Sequence, residues 1–207
     1  MTKFSDPKTT WNGRYAGADG FLFGEEPNQW LSHCTALLKP GARVLCVADG
    51  EGRNGVWLAE RGCQVTSFDL SDVGISKARD LARRKGVQLD VQQSDAAEWD
   101  WQPERYDAVV AIFIQFAAPA LRARLFEGIR RTLVPGGLLI IEGYGPRQLI
   151  YKTGGPGVED NLYTMQLLAR GFDGWDVLAS RDVDREVSEG AGHHGMSHLV
   201  SAVLGKP

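Results

Sequence analysis

The chain has 207 residues, 43% of them hydrophobic and 24% charged, with a formal net charge of −3. This supplies one sizeable core and leaves little room for a second, so residues 1–207 are expected to form a single domain. The acidic balance, with no basic run longer than Arg83-Arg84-Lys85, gives no footprint for a nucleic-acid partner.

The three scattered cysteines, Cys34, Cys46 and Cys63, suggest neither a disulfide framework nor a metal pair. No metal ligand set is expected. The first residues lack an apolar leader and no stretch approaches a membrane span, so a cytoplasmic protein without a membrane partner is expected.

In chain order, residues 1–40 come first. The stretch WNGRYAGADGFLFGEEPNQWL is aromatic and glycine-containing but shows no strand pattern. An N-terminal helical arm or lid is expected there. Residues 43–48 are a short apolar run ending in glycines, which reads as a buried strand. Gly50, Gly52 and Gly55 then spell G-x-G-x-x-G, and Asn54 is expected to cap a helix that Gly62 ends.

Residues 64–69 are a second strand. Ser71 caps a helix with Ile75, Ala78 and Ala82 on one face, stopped by Gly86. Residues 89–93 form a third strand and residues 106–113 a fourth, apolar on both faces. Pro119 suits the first turn of a helix carrying Leu121, Leu125 and Ile129. Pro135-Gly136-Gly137 is read as a turn into a fifth strand at 138–142. Leu162, Met165 and Ala169 mark another helix. Residues 175–187 and 197–204 read as two strands joined by a glycine- and histidine-rich loop.

Alternating strands and helices predict an α/β fold with a mostly parallel sheet, whose ligands bind at the carboxyl ends of the strands. The glycine loop lies between a strand and a helix, the context of a nucleotide site. Asp69 ends the next strand and can accept hydrogen bonds from ribose hydroxyls, or it can serve as an N-terminal acid of the helix opened by Ser71. A nicotinamide dinucleotide and S-adenosyl-L-methionine (SAM) both carry that ribose.

Charge separates them. Asp49 and Glu51 flank the glycines. At an effective dielectric near 20, a carboxylate ~5 Å from a phosphate charge costs roughly 3 kcal/mol before screening. SAM carries a sulfonium and an ammonium instead of phosphates, so SAM is favoured. Asp95, after the third strand, is placed to receive an adenine amino group.

On VLCVADGEGRNGVWLAERG, Asp69, SDAAEW, LVPGGLLIIEGY, the WNGRY…FLFGEEPNQWL start and EGAGHHG near the end, the chain resembles the class I SAM-dependent methyltransferases. It looks like the small branch related to tellurite-resistance and thiopurine methyltransferases. Cys46 and Ala48 stand where that pattern has an acid and a glycine. The resemblance implies a Rossmann-like, seven-stranded, mostly parallel sheet in the order 3-2-1-4-5-7-6, last strand antiparallel, with helices on both faces. It also implies SAM as cofactor and S-adenosyl-L-homocysteine as product.

The cofactor set so assigned is Arg14, Asp49, Gly50, Glu51, Gly52, Asn54, Asp69, Leu70, Asp95, Ala96, Ala97 and Ile112. Arg14 is assigned to the methionine carboxylate, a natural partner for a guanidinium fork. A small-molecule methyl acceptor with a soft S, Se or Te nucleophile is expected to meet Trp11, Tyr15, Phe23, Gln115, Phe116, Tyr144 and Arg147. Strand six is expected to run parallel to the core strands, which hangs loop 188–195 over the acceptor. His193 matches the family's E-G-x-x-H-x-G histidine and is the candidate catalytic residue; His194 has no such counterpart. Two alternatives stay open: a non-catalytic SAM-binding module and a nicotinamide-dependent reductase.

Overall fold

The computed structural model describes residues 6–207, so the first five residues of the expected arm lie outside the described residues. The centre of the fold is strand β1 (Arg43–Val47), buried from Val44 onward because both faces are covered. It pairs in parallel with β2 (Gln64–Asp69) on one side and β4 (Tyr106–Ile112) on the other. Strand β3 (Asp90–Gln93) extends the β2 edge and β5 (Leu133–Tyr144) the β4 edge, both parallel. Strand β7 (His193–Gly205) runs antiparallel between β5 and β6 (Asp176–Glu189). The order is β3-β2-β1-β4-β5-β7-β6, the topology the resemblance implies.

Strand alternation splits the core in two. Leu45, Val109, Leu139 and Ile141 pack on one face against Leu125 and Ile129 of α5 (Pro119–Thr132). Val44, Cys46, Val110 and Ile140 pack on the other against Leu58 of α3 (Arg53–Glu60) and Trp30 and Leu31 of α2 (Gln29–Cys34). Each such aliphatic side chain, essentially fully buried, contributes about 1.5–3 kcal/mol. Cys46 packs among them, with no exposed surface.

Helix α4 (Asp72–Lys85) has the predicted ends: Ser71 Oγ accepts from Gly74 N at 3.0 Å, and Gly86 takes the left-handed conformation. Other boundaries differ from expectation. Helix α3 is entered through Gly52 at φ 85°, not capped by Asn54; Asn54 lies inside the helix and its Oδ1 accepts from Asn28 N at 2.9 Å. A Cβ on Gly52 would lie 2.6 Å from Ala78 Cβ, so helix contact as well as φ demands glycine. Pro135-Gly136-Gly137 lies inside β5, spanned by an irregularity in its pairing with β4, because Leu133 already pairs with Tyr106. Leu162 precedes α7 (Met165–Gly171), which Thr164 caps. Leu89 lies just outside β3.

The terminal hairpin is longer than predicted, with a turn of only residues 190–192. Gly192 N donates to Leu22 O at 2.8 Å, and Gly190 packs against Gly24 N and Leu22 O, so the turn rests on the N-terminal segment. That segment holds α1 (Pro7–Ala16) and α2, with no strand among its described residues. A short helix, α6 (Gln148–Tyr151), follows β5.

Candidate functional site

A cavity of about 460 Å³ opens at the carboxyl ends of β1, β2 and β4, under α1. Its floor is made by loops that the sequence forces close together. Asp69 ends β2; its Oδ2 accepts from Gly50 N at 2.9 Å and its Oδ1 from Ser71 N at 2.8 Å. One carboxylate thus ties the loop after β1 to the start of α4. Burial pushes its pKa up against these hydrogen bonds.

Asp49 also lines the cavity. Its Oδ2 accepts from Gly55 N at 3.0 Å, yet burial pushes the carboxyl up to about 7. Asp95 contributes a third carboxylate, with Oδ1 accepting from Ala97 N at 2.8 Å. Two non-glycine residues here have left-handed backbones, Ala48 at φ 49° and Phe113 at φ 55°, one at the end of β1 and one at the end of β4. Strain of this kind concentrates at functional sites.

The roof is aromatic. Trp11 stacks on Tyr15 with centroids 5.5 Å apart, and Phe23 meets the edge of Tyr15 at 6.2 Å. Phe23 and Phe113 flank the ring of His193 at 4.4 and 4.2 Å. Lys77 holds this roof down: its Nζ donates to Tyr15 O and Gly20 O, each at 2.6 Å, and pairs with Glu51 Oε1 at 2.9 Å. Ser71 Oγ reaches Asn12, and Lys8 pairs with Asp72 at 2.9 Å.

Of the predicted cofactor residues, Asp49, Gly50, Asn54, Asp69, Leu70, Asp95, Ala96 and Ile112 line the cavity. Four do not. Glu51 is buried and turned to Lys77 and to Phe23 N, which makes it an anchor for the arm. Gly52 is the helix entry. Ala97 sits behind Asp95, its carbonyl bonded to Arg124 at 2.7 Å. Arg14 is exposed and lies on the outer side of the roof, 4.5 Å over the Trp11 ring.

Of the predicted acceptor residues, Trp11, Tyr15, Phe23 and Phe116 line the cavity. Gln115 does not, because its amide clamps the ends of β4 and β5: it donates to Tyr144 O and Asn161 O and accepts from Tyr144 N. Tyr144 is buried beneath Phe113. Arg147 is drawn outward by Asp182 and Asp184 at 3.1 and 2.9 Å. His193 lines the cavity, but as the first residue of β7, not as part of a long loop; His194 is exposed. His198 is buried behind the hairpin with Asp182 at 2.7 Å.

Arg53 and Phe113 also line the cavity, without having been expected there. Arg53 follows the glycines directly and Phe113 ends a predicted strand, so their positions pointed to the ligand edge, though nothing showed which way they face. Arg53 lines the cavity and pairs with Glu189 at 2.7 Å.

Residues 44–137 match the family model described as a methyltransferase domain. Over 114 residues the chain is 38% identical to ribosomal RNA small subunit methyltransferase C of Chromohalobacter salexigens, covering 52% of this chain and 33% of that protein. Over 162 residues it is 28% identical to the ubiquinone biosynthesis O-methyltransferase of Alkalilimnicola ehrlichii, covering 77% and 64%. The chain therefore spans less than two thirds of the length of these curated relatives. A solved structure described by the conversion of a disulfide bond into a thioacetal group during echinomycin biosynthesis shares the fold, with a TM-score of 0.79 at 19% identity over 96% of this chain and 91% of that one.

Residues 44–137, from β1 into β5, thus carry the match to a methyltransferase domain, within a seven-stranded sheet ordered β3-β2-β1-β4-β5-β7-β6.

Proposed function

We propose that this chain is a working methyltransferase that moves the SAM methyl group to a small apolar acceptor carrying a soft sulfur, selenium or tellurium nucleophile, in the manner of the tellurite-resistance and thiopurine branch. The observation that carries this reading is the placement of His193 between Phe23 and Phe113, on the same cavity as Asp49 and Asp69.

The residues present fit the cofactor. Asp69 would hold the ribose hydroxyls, Asp95 and Ala96 the adenine, and Asp49 the methionine ammonium. A pyrophosphate would meet two acids here, Asp49 and Asp69, and the cavity's Arg53 is already engaged by Glu189. Bound SAM supplies a methyl group that is already activated, so the protein's part is alignment and a dry surrounding. Trp11, Tyr15 and Phe23 exclude water from above. His193 takes the acceptor's proton at Nε2; its burial, chiefly, and the nearby Arg53 and Arg14 charges hold its pKa below the ordinary 6.5, which keeps the ring neutral and basic at pH 7.

The same reading takes residues 1–207 as one domain with residues 1–40 as its lid, working in the cytoplasm without nucleic-acid or membrane partners. The net charge of −3 and the aromatic roof support a small acceptor over an RNA. Labelled SAM offered with a panel of thiols, selenols, reduced tellurium species and phenols tests it. His193→Ala lowers turnover roughly 10²-fold with SAM affinity near wild type, and His194→Ala does little. Full activity in His193→Ala removes the assignment; SAM binding without transfer to any member of the panel favours a non-catalytic binding module.

A further inference from the structure

Beyond His193 itself, the structure holds a buried charge cluster that neither the cavity wall nor the core explains. Glu189, near the end of β6, is almost enclosed, its side chain 9% exposed. Its Oε2 accepts from Arg53 Nη2 at 2.7 Å, and its Oε1 from Asn28 Nδ2 and Gln29 N, each at 3.3 Å. The carboxylate is therefore fixed from three directions, by α3 and by the start of α2. Burial opposes its ionisation, but its interactions with His193 and Arg53 outweigh this and hold the carboxyl down at about 2.

This fixed anion faces one further group. His193 Nδ1 lies 3.9 Å from Glu189 Oε2, is buried, and has no hydrogen-bond partner among the described residues. The ring itself lines the cavity. A neutral histidine carries its proton on one nitrogen or the other, and the partner of the first nitrogen decides which. A carboxylate accepts only, so it selects the ring with the proton on Nδ1 and the lone pair on Nε2.

We propose that Glu189 is the positioning residue of His193: it sets the Nδ1–H tautomer, aims the Nε2 lone pair at the cavity, and stabilises the imidazolium that forms when the acceptor's proton is taken. The proton moves from the acceptor to Nε2 and leaves the ring to solvent afterwards; Glu189 stays ionised throughout. This rests on His193 being the base. The 3.9 Å gap is longer than a hydrogen bond, as is common before substrate closes a site.

The groups around the ring set the sign of the effect. Glu189 raises the His193 pKa; burial, Arg53 from α3 and Arg14 from α1 lower it. Arg185 of β6 stands 3.9 Å from Glu189, and Tyr144 of β5 meets the ring edge-on at 5.7 Å. Glu189→Gln keeps an acceptor for Arg53 and Nδ1 but removes the charge, so the ring should release its proton at lower pH.

The test is ¹⁵N NMR of the histidine ring across pH in wild type, Glu189→Gln and Glu189→Ala, beside the pH profile of kcat. In wild type the neutral ring should be protonated at Nδ1. Glu189→Gln should lower the His193 pKa by a unit or more, tenfold or more in the ionisation constant. The acid limb of kcat should move down with it, and kcat should fall roughly tenfold. Glu189→Ala should shift the tautomer towards Nε2–H. A folded Glu189→Gln protein with unchanged ring titration and unchanged acid limb overturns the proposal, even if Glu189→Ala does not fold. Full activity in His193→Ala would instead remove the base reading and leave the NMR result to stand on its own.

Discussion

Asp49→Asn tests whether the carboxylate beside the glycine loop is held in a costly ionised state. In the folded chain burial raises the Asp49 pKa from 3.8 to about 7, despite the hydrogen bond from Gly55 N. A carboxyl whose folded pKa is raised binds protons more tightly folded than unfolded. Its contribution to stability is therefore present at low pH and lost as pH rises from about 4 to about 7. Linkage with 1.36 kcal/mol per pKa unit gives a loss of about 2.5 kcal/mol between pH 5 and pH 8. Asp49 is partly exposed, so solvent screening reduces this to about 1–2.5 kcal/mol. Asparagine keeps an acceptor for Gly55 N and does not titrate. Urea unfolding of the ligand-free proteins at pH 5 and pH 8 isolates the effect, because other titrating groups cancel in the difference. Asp49→Asn should lose about 1–2.5 kcal/mol less than wild type over this range. Parallel pH profiles for the two proteins would refute the reasoning.

Asp69→Ala should weaken SAM binding by ~1.5–3 kcal/mol, the usual cost of a lost charged hydrogen-bond partner. It should also lower the melting temperature, because Gly50 N and Ser71 N both lose their acceptor; unchanged affinity with lowered stability would leave Asp69 a purely structural role. Amide hydrogen exchange over residues 7–30 should slow when S-adenosyl-L-homocysteine is added, as expected of a lid ordered by its ligand. Lys77→Met, which removes the bonds to Tyr15 O, Gly20 O and Glu51, should speed that exchange in the free protein, and equal rates in all three states would mean that the segment is not a lid.

The central strands were legible in the sequence, since β1 and β4 carry the apolar runs Val44–Val47 and Ala108–Ile112 and β2 ends on Asp69 just before the Ser71 cap. The start of β5 was not: Pro135-Gly136-Gly137 is a turn signature, and only the pairing of Leu133 with Tyr106 carries the strand across it. The entry to α3 was misplaced for a similar reason. Asn54 has cap chemistry, but its side chain is used by Asn28, and the left-handed Gly52 starts the helix.

At the site, topology alone brings residues at strand ends to one edge: Asp49, Asp69, Asp95 and His193 all line the cavity. Side-chain direction was not legible. Glu51 is claimed by Lys77, Gln115 by the Tyr144 backbone and Arg147 by two aspartates on β6, partners far away in sequence. The Glu189–Arg53 pair spans 136 residues and depends on the hairpin turn reaching the glycine loop.

Cofactor choice is tested most directly by calorimetric titration of the purified protein with SAM, S-adenosyl-L-homocysteine and NADH at pH 7.5. SAM and its demethylated product should bind in the micromolar range, about −8 kcal/mol, and NADH should produce no binding heat. Tight NADH binding with no response to SAM would contradict the account.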